Sequence, residues 1–272
     1  MDAPHLSQKG RSERLLELSV FLRHMRTRAA PVPDEADRRR TRRTRGLRRE
    51  EVAARAGIST DWYTRIEQGR DVNPSSEVLD ALSDALELSV SERDHLLALT
   101  DTTQGHLIGP PNHASGLTLL ADQMPTAPAF VLDPSWTVLH QNQASIAQFG
   151  DWSRDTDGSS NFLVRFFTDP LMTNGIEDWT RHAKLTVRQY RAVFAKRIDD
   201  PAVRDVVRSL SKDSPDFADW WAGADVAGKD DGVKVFVNAK GERTTFDYVM
   251  VRHCEASDCE LIAFIPRTGV QG

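Results

Sequence analysis

The first hundred residues carry apolar positions at helical spacing. Ser12, a residue type that caps helix N-termini, precedes an apolar series that recurs every three or four positions: Leu15, Leu18, Leu22 and Met25. Shorter segments of the same kind follow over about 48–56, 60–68, 75–86 and 91–99. Strand-like alternation does not occur before residue 100. The pattern predicts an all-α bundle over residues 1–100.

The pattern changes further along the chain. Residues 101–115 contain two glycines and a Pro-Pro pair without periodicity, which is typical of a linker. Beyond this linker, short apolar runs predict strands at 129–132, 136–139, 233–237, 244–251 and 260–265. Helical spacing predicts helices at 177–197, at 203–210 and from Pro215 onward. Residues 116–272 are therefore predicted to form a mixed α/β domain whose sheet is drawn from both ends of the segment.

Length and composition fit a two-domain globular protein. The 272 residues correspond to about two domains of roughly 100–200 residues each. Apolar runs stay well below the ~18–20 residues of a membrane span, and the start lacks the basic and apolar stretches of a signal peptide. Two cysteines, Cys254 and Cys259, cannot form a disulfide framework. We expect a cytoplasmic protein that does not act at a membrane.

The charge is distributed unevenly along the chain. The whole chain has a formal net charge of −5, which by itself argues against a nucleic-acid partner. Residues 38–70, however, contain eleven arginines and four acidic residues, a local net charge of +7. Residues 101–272 carry a net charge of −6. A basic segment of this size attracts polyanions even when the whole chain is acidic.

Residues 47–67 carry the pattern of a helix-turn-helix. Two short helices that cross steeply need a small residue where they approach, a glycine in the turn and apolar residues between them. Ala53 and Gly57 supply the first two features, and Ser59 stands at the N-cap of the second helix. The apolar contacts are expected from Val52, Ile58, Tyr63 and Ile66. The alternative is a helical hairpin used for protein contacts.

The other side chains of the second helix are expected to face outward and to read bases in a major groove. They are Thr60, Asp61, Thr64 and Arg65. Arginine can bind guanine with two hydrogen bonds, aspartate can accept one from cytosine, and the two threonines can contact either a base edge or a phosphate. Asp61 fits equally well as a charge that complements its own helix N-terminus. Glu67 is expected to be an internal ion-pair partner.

Phosphate contacts are expected from the arginines around this motif. They are Arg42, Arg43, Arg45, Arg48, Arg49 and Arg70. A solvated charged loop is the alternative for this run. Double-stranded operator DNA is the expected partner.

Aromatic residues in the second half can line a pocket for a small apolar ligand. They are Phe162, Phe166, Phe167, Trp179, Tyr190, Phe194, Trp220 and Trp221. For each one alone, an ordinary core position is the simpler interpretation. Arg165, Arg181 and Arg188 can meet a carboxylate head group, or they can lie solvated on helix faces.

Enzymatic and metal-binding patterns are weak in this sequence. Gly-rich phosphate loops, Gly-x-Ser-x-Gly elbows and paired catalytic carboxylates do not stand out. His253, Cys254 and Cys259 lack the paired spacing of a zinc site. We expect no enzyme, no cofactor and no metal, and an enzyme with a DNA-binding head stays as a rival class.

Several of these motifs resemble a known family. Gly57-Ile58-Ser59 followed by Arg65-Ile66-Glu67-Gln68-Gly69 resembles the Xre/Cro-type repressor helix-turn-helix. Residues 42–53 and 61–70 are similar, more narrowly, to the MmyB-like transcription regulators. The similarity continues through the segments 74–82, 127–133, 161–170, 214–221 and 246–248.

The resemblance implies a bacterial transcription regulator that acts as a homodimer. It implies an Xre-type head joined to a PAS-like α/β domain for a fatty-acid-like or other small apolar ligand. The positions that it implies for DNA contact are Arg49, Thr60, Asp61, Thr64 and Arg65. The chain departs from the family at Arg45, where a proline is usual, and at 236–242, where a His-Pro pair is missing. A protein-interaction module without ligand is the alternative for the second domain.

Overall fold

The structure is a computed structural model that describes eight stretches of the chain. They are residues 8–30, 46–70, 72–100, 114–152, 160–226, 232–237, 241–252 and 259–267. Their contacts divide them into two compact units. Unit 1 takes the described residues of Met1–His106, Arg188–Arg204 and Asp219–Gly228. Unit 2 takes those of Leu107–Val187, Asp205–Ala218 and Lys229–Gly272.

Five helices of unit 1 come from the first hundred residues. They are α1 (Gln8–Arg28), α2 (Arg49–Arg55), α3 (Thr60–Glu67), α4 (Ser76–Ala85) and α5 (Val90–Thr100). Their apolar faces meet in one core, which includes Leu22, Met25 and Leu82. Ala195 and Val226 belong to the same core. Unit 1 therefore has a helical core that also uses residues from the second half of the chain.

Unit 2 is built around an antiparallel five-stranded sheet with the order β2-β1-β5-β4-β3. The strands are β1 (Ala129–Leu132), β2 (Val138–Gln141), β3 (Val233–Val237), β4 (Arg243–Arg252) and β5 (Glu260–Pro266). Four short helices in this part of the chain are α6 (Ala114–Asp122), α7 (Gln143–Phe149), α8 (Phe162–Thr168) and α9 (Pro170–Thr173). The central strand β5 is paired on both sides and buried over most of its length.

Three further helices contribute to both units. They are α10 (Trp179–Lys196), α11 (Pro201–Asp213) and α12 (Pro215–Ala222). The division between the units falls inside each of them, and in α10 it falls after Val187. Among the described residues, no helix combines the length and the apolar character that a bilayer crossing requires.

The predicted fold class, an all-α helix-turn-helix region followed by an α/β domain, is confirmed. The sheet is drawn from both ends of the second half, as the strand pattern indicates. β2 begins at Val138 rather than at Trp136, because Trp136 has a left-handed φ of 66°. It closes a turn in which the Asp133 carboxylate accepts hydrogen bonds from the backbone N–H groups of Ser135 and Thr137, each 2.8 Å long.

Candidate DNA-binding surface

The turn between α2 and α3 has the geometry that the sequence predicts. Gly57 adopts a φ of 66°, a conformation that side chains other than glycine rarely tolerate. Ile58 N–H donates to the Ala53 carbonyl over 3.0 Å, which closes the turn. Ser59 is the N-cap of α3, and its hydroxyl accepts a 3.1 Å hydrogen bond from Trp62 N–H. The predicted roles of Gly57 and Ser59 are confirmed.

Apolar residues fix the two helices against the rest of unit 1. Val52 and Ala53 on α2, and Tyr63 and Ile66 on α3, are fully or almost fully buried. Ile58 packs against the same core from a half-buried position. One face of α3 is thus used for packing, and the opposite face is left for solvent or a partner.

The four predicted base-reading residues lie on α3, within its first six positions. Thr60, Asp61 and Arg65 are exposed, while Thr64 is half-buried. The guanidinium of Arg65 lies over the Trp62 ring, 5.8 Å from its centroid. The sequence interpretation did not single out Trp62. Aromatic and arginine side chains three positions apart on a helix meet in this way, so the spacing was the available signal.

The predicted phosphate contacts differ in their surroundings. Arg48 and Arg70 are exposed beside the ends of α2 and α3. Arg49 is 42% exposed, and its Nε donates to Glu67 Oε1 over 2.8 Å. Arg42, Arg43 and Arg45 lie outside the described residues. Among the described arginines of this set, Arg48 and Arg70 are thus more accessible to a phosphate than Arg49.

Glu67 is the centre of a buried polar network, as the sequence interpretation expects of an internal ion-pair partner. Its carboxylate is 0% exposed and accepts from Arg26 Nε over 2.5 Å and from Tyr63 O–H over 3.0 Å, in addition to Arg49. Burial works to raise the pKa of Glu67, but the hydrogen bonds from Arg26 and Arg49 lower it below its usual range. Burial, together with the Glu67 charge, raises the pKa of Tyr63. The network therefore holds an ionised carboxylate that ties α1, α2 and α3 together.

The aromatic residues predicted to line a ligand pocket fall into two groups. Phe162, Phe166 and Trp179 belong to unit 2, where Phe166 stacks on Trp179 at 6.2 Å and on Phe162 at 6.2 Å. The other group lies in unit 1 and consists of Tyr190, Phe194, Trp220 and Trp221. Within it, Trp221 packs on Phe194 at 5.2 Å. Phe167 stands with the first group, 5.4 Å from Trp179.

The three arginines suggested for a carboxylate head group have different neighbours. Arg165 lies over the Trp152 ring and 3.8 Å from Asp169. Arg188 pairs with Asp225 at 3.3 Å, and Arg181 is exposed. His253 and Cys254 lie outside the described residues, and Cys259 is buried. Within the described stretches, no three His, Cys, Asp or Glu side chains are placed to hold a metal ion.

Comparison with protein families assigns both halves of the chain. A helix-turn-helix domain model matches residues 17–96, the region that holds the α2–α3 motif. The model of the MmyB-like transcription regulator ligand binding domain matches residues 114–271, which is more than half of the chain. No curated protein was found to match. The chain therefore belongs to the MmyB-like transcription regulators, and it is a DNA-binding transcription regulator.

Proposed function

We propose that α3 reads the base sequence of a double-stranded operator. The observation that carries this proposal is the capped N-terminal part of α3, on which Thr60, Asp61 and Arg65 are exposed while Tyr63 and Ile66 anchor the helix. The N-terminal residues of a recognition helix are those that reach base edges in the major groove. Arg65 binds a guanine, Asp61 accepts a hydrogen bond from a cytosine, and Thr60 and Thr64 contribute further base or phosphate contacts.

The arginines beside the helix-turn-helix bind backbone phosphates and set the register of the protein on the duplex. Arg48 and Arg70 are the exposed described members of this set, and Arg42, Arg43 and Arg45 extend the basic segment. Arg49 contributes while it stays paired with Glu67. Because Arg65 is proposed to contact a base and Arg70 a phosphate, replacing them should affect DNA affinity differently.

The test uses a DNA sequence that the wild-type chain selects from a random duplex library. Arg65→Ala should weaken binding to that sequence by about 1–3 kcal/mol and change binding to random DNA little. Arg70→Ala should weaken binding to both and reduce the slope of log affinity against log salt by about 1. Arg93→Ala on α5, where Arg93 pairs with Asp84, is the matched control and should have neither effect. Equal losses on both DNAs for Arg65→Ala would contradict a base-reading role.

For the second domain, we propose that it binds a small apolar, fatty-acid-like ligand and that the regulator works as a cytoplasmic homodimer. The family description, a ligand binding domain, supports a ligand for this domain, and the fatty-acid-like character of that ligand is our proposal. A ligand can act only if it binds one state of the protein more tightly than another. Two such states that space two recognition helices differently would bind paired half-sites differently.

Packing of the aromatic residues favours a second candidate, a protein-interaction module without ligand. Phe162 and Phe166 are buried against each other and against neighbouring rings, as in an ordinary core. The two candidates are separated by native mass spectrometry of the purified chain and by thermal shift with long-chain fatty acids. A bound acyl compound or a raised thermal midpoint supports the ligand. The absence of both supports the protein-interaction module. Analytical ultracentrifugation tests the homodimer.

A further inference from the structure

Arg191 is a buried cation in the second half of α10. Its side chain is 1% exposed, although a guanidinium in the interior is costly unless its charge and donors are satisfied. Nη1 lies 2.9 Å from the carboxylate of Glu17 on α1, and Nη2 donates to the Trp221 carbonyl. The Trp221 ring lies under the guanidinium, 4.3 Å from ring centroid to Cζ. Arg191 is thus held by α1 and by the end of α12.

Glu17 and Arg191 form the most buried of several polar pairs on this side of α1. Arg14, which is also buried, pairs with Asp199 at 2.9 Å and donates to the Ala98 carbonyl over 2.7 Å. His24 contacts Asp225 at 2.7 Å in a more exposed position. The charged partners of α1 in these pairs, Arg191, Asp199 and Asp225, lie within 188–204 and 219–226, inside the stretch that matches the ligand-binding family.

A second ion pair connects the same helix to α3, since Arg26 of α1 binds Glu67 of α3. We call the Glu17–Arg191 pair and the Arg26–Glu67 pair the two anchors of α1. Glu17 and Arg26 are nine residues apart, which places them about 180° apart around α1 and about 14 Å apart along it. One face of α1 is therefore fixed to the Arg191 segment, and the opposite face is fixed to the recognition helix.

Both anchors resist separation for the same reason. Moving Arg191 away from Glu17, or Arg26 away from Glu67, would leave a buried charge without its counterion. Between the anchors lies a single uninterrupted helix, which cannot bend sharply without losing backbone hydrogen bonds. A change in the position of one anchor therefore moves the other.

We infer that α1 transmits the position of the α10 segment Arg188–Lys196 to α3, and that Arg191 is the positioning residue of this connection. The inference rests on the proposed role of α3 as the base-reading helix. Arg191 touches no DNA in this scheme and acts through Glu17 and α1. Coupling of this kind between packed elements changes an affinity by about 3- to 30-fold.

The test compares full-length Glu17→Gln and Arg191→Lys with the wild type. Glu17→Gln removes the carboxylate charge, and Arg191→Lys removes the guanidinium that reaches both Glu17 and the Trp221 carbonyl, while each keeps a side chain of similar length. Lys196→Gln is the matched control on the same helix, because Lys196 is exposed and the charge of an exposed side chain contributes little. The dissociation constant for the wild-type-selected DNA, the salt slope and hydrogen exchange in α3 are measured at a temperature where circular dichroism shows folded protein.

Glu17→Gln and Arg191→Lys should weaken binding to selected DNA by about 3- to 30-fold and speed exchange in α3. The salt slope should stay unchanged, because no phosphate contact is lost. Lys196→Gln should change the dissociation constant by less than about twofold. If Glu17→Gln is folded and leaves both DNA binding and α3 exchange at wild-type values, the inference is wrong. If Arg65→Ala also leaves DNA binding at the wild-type value, it is the base-reading role assigned to α3 that is wrong.

Discussion

Replacing Glu67 by glutamine perturbs the most buried carboxylate of the helix-turn-helix. Glutamine has nearly the same size, so it tests the charge and not the packing. Its carbonyl oxygen can still accept from Tyr63 O–H, but the amide group then faces the donors of Arg26 and Arg49. Two guanidinium groups thereby lose their shared counterion, and α3 loses its ionic connection to α1 and α2.

The expected loss of stability depends on how exposed the partner arginines of Glu67 are. Removing one member of a fully buried ion pair costs about 3–5 kcal/mol, because the remaining charge is stranded. Arg49 is 42% exposed and Arg26 is 17% exposed, so both recover part of their hydration. We therefore expect Glu67→Gln to lower the local unfolding free energy of α3 by about 3 kcal/mol, at the lower end of that range. Adding Arg26→Met should restore part of it, because the stranded cation is removed.

Hydrogen exchange of the α1 and α3 amides in the full chain measures this local free energy. Glu77→Gln is the matched control, since Glu77 is exposed in the first turn of α4 and contributes about 0.3–1 kcal/mol through the helix dipole. A loss for Glu67→Gln no larger than the loss for Glu77→Gln would show that the network behaves as a surface ion pair. Strict additivity with Arg26→Met would contradict the stranded-charge argument.

Three further predictions test other parts of unit 1. Gly69→Ala should lower the thermal midpoint more than Gly57→Ala. The backbone φ is positive at both positions, which costs a residue with a side chain about 1–2 kcal/mol, but only at Gly69 would the new Cβ lie 2.3 Å from the Leu15 carbonyl oxygen. Equal shifts of the midpoint would exclude the close approach. Ser59→Ala should cost about 1 kcal/mol of α3 stability in hydrogen exchange, and Ser59→Asn should not. Burial lowers the pKa of His95 to about 3 in the folded state, whereas its ordinary value is 6.5. Below pH 6.5 the unfolded state therefore takes up a proton that the folded state does not. The stability that depends on His95 is thus full above that pH and falls below it. The loss should reach at most about 2 kcal/mol at pH 5 in urea unfolding, and His95→Leu should flatten this slope.

The helix-turn-helix was predictable because its constraints are local. Gly57, Ser59 and the apolar positions of α2 and α3 lie within about twenty residues, and each has its own steric or hydrogen-bonding reason. Helices α7 and α8 were missed, although their signals are local too. They are seven residues long, and periodicity is a weak signal at that length. Their N-caps, Asn142 and Asn161, were the signal that could have located them.

Contacts between distant segments were not predictable from periodicity. The apolar residues of α10 follow one helical repeat from Trp179 to Lys196, and this repeat does not indicate which other element packs against each turn. Arg191 illustrates the difficulty, because an arginine beside apolar residues is ordinarily interpreted as a solvated position. Its burial becomes apparent only when Glu17, 174 residues earlier, is placed next to it.

These long-range pairs change what the net charge of the chain means. The basic segment 38–70 is proposed to attract DNA, but the charges proposed to position α3 are carboxylates held inside unit 1: Glu67, which Arg26 and Arg49 share, and Glu17, which pairs with Arg191. Exposed charges act over a Debye length and weaken in salt, whereas buried pairs are screened little. Raising the salt concentration should therefore release the phosphate contacts while leaving the orientation of α3 intact. On this proposal, the exposed arginines set the affinity and the buried ones set the geometry of α3, and Arg49 alone of those named takes part in both.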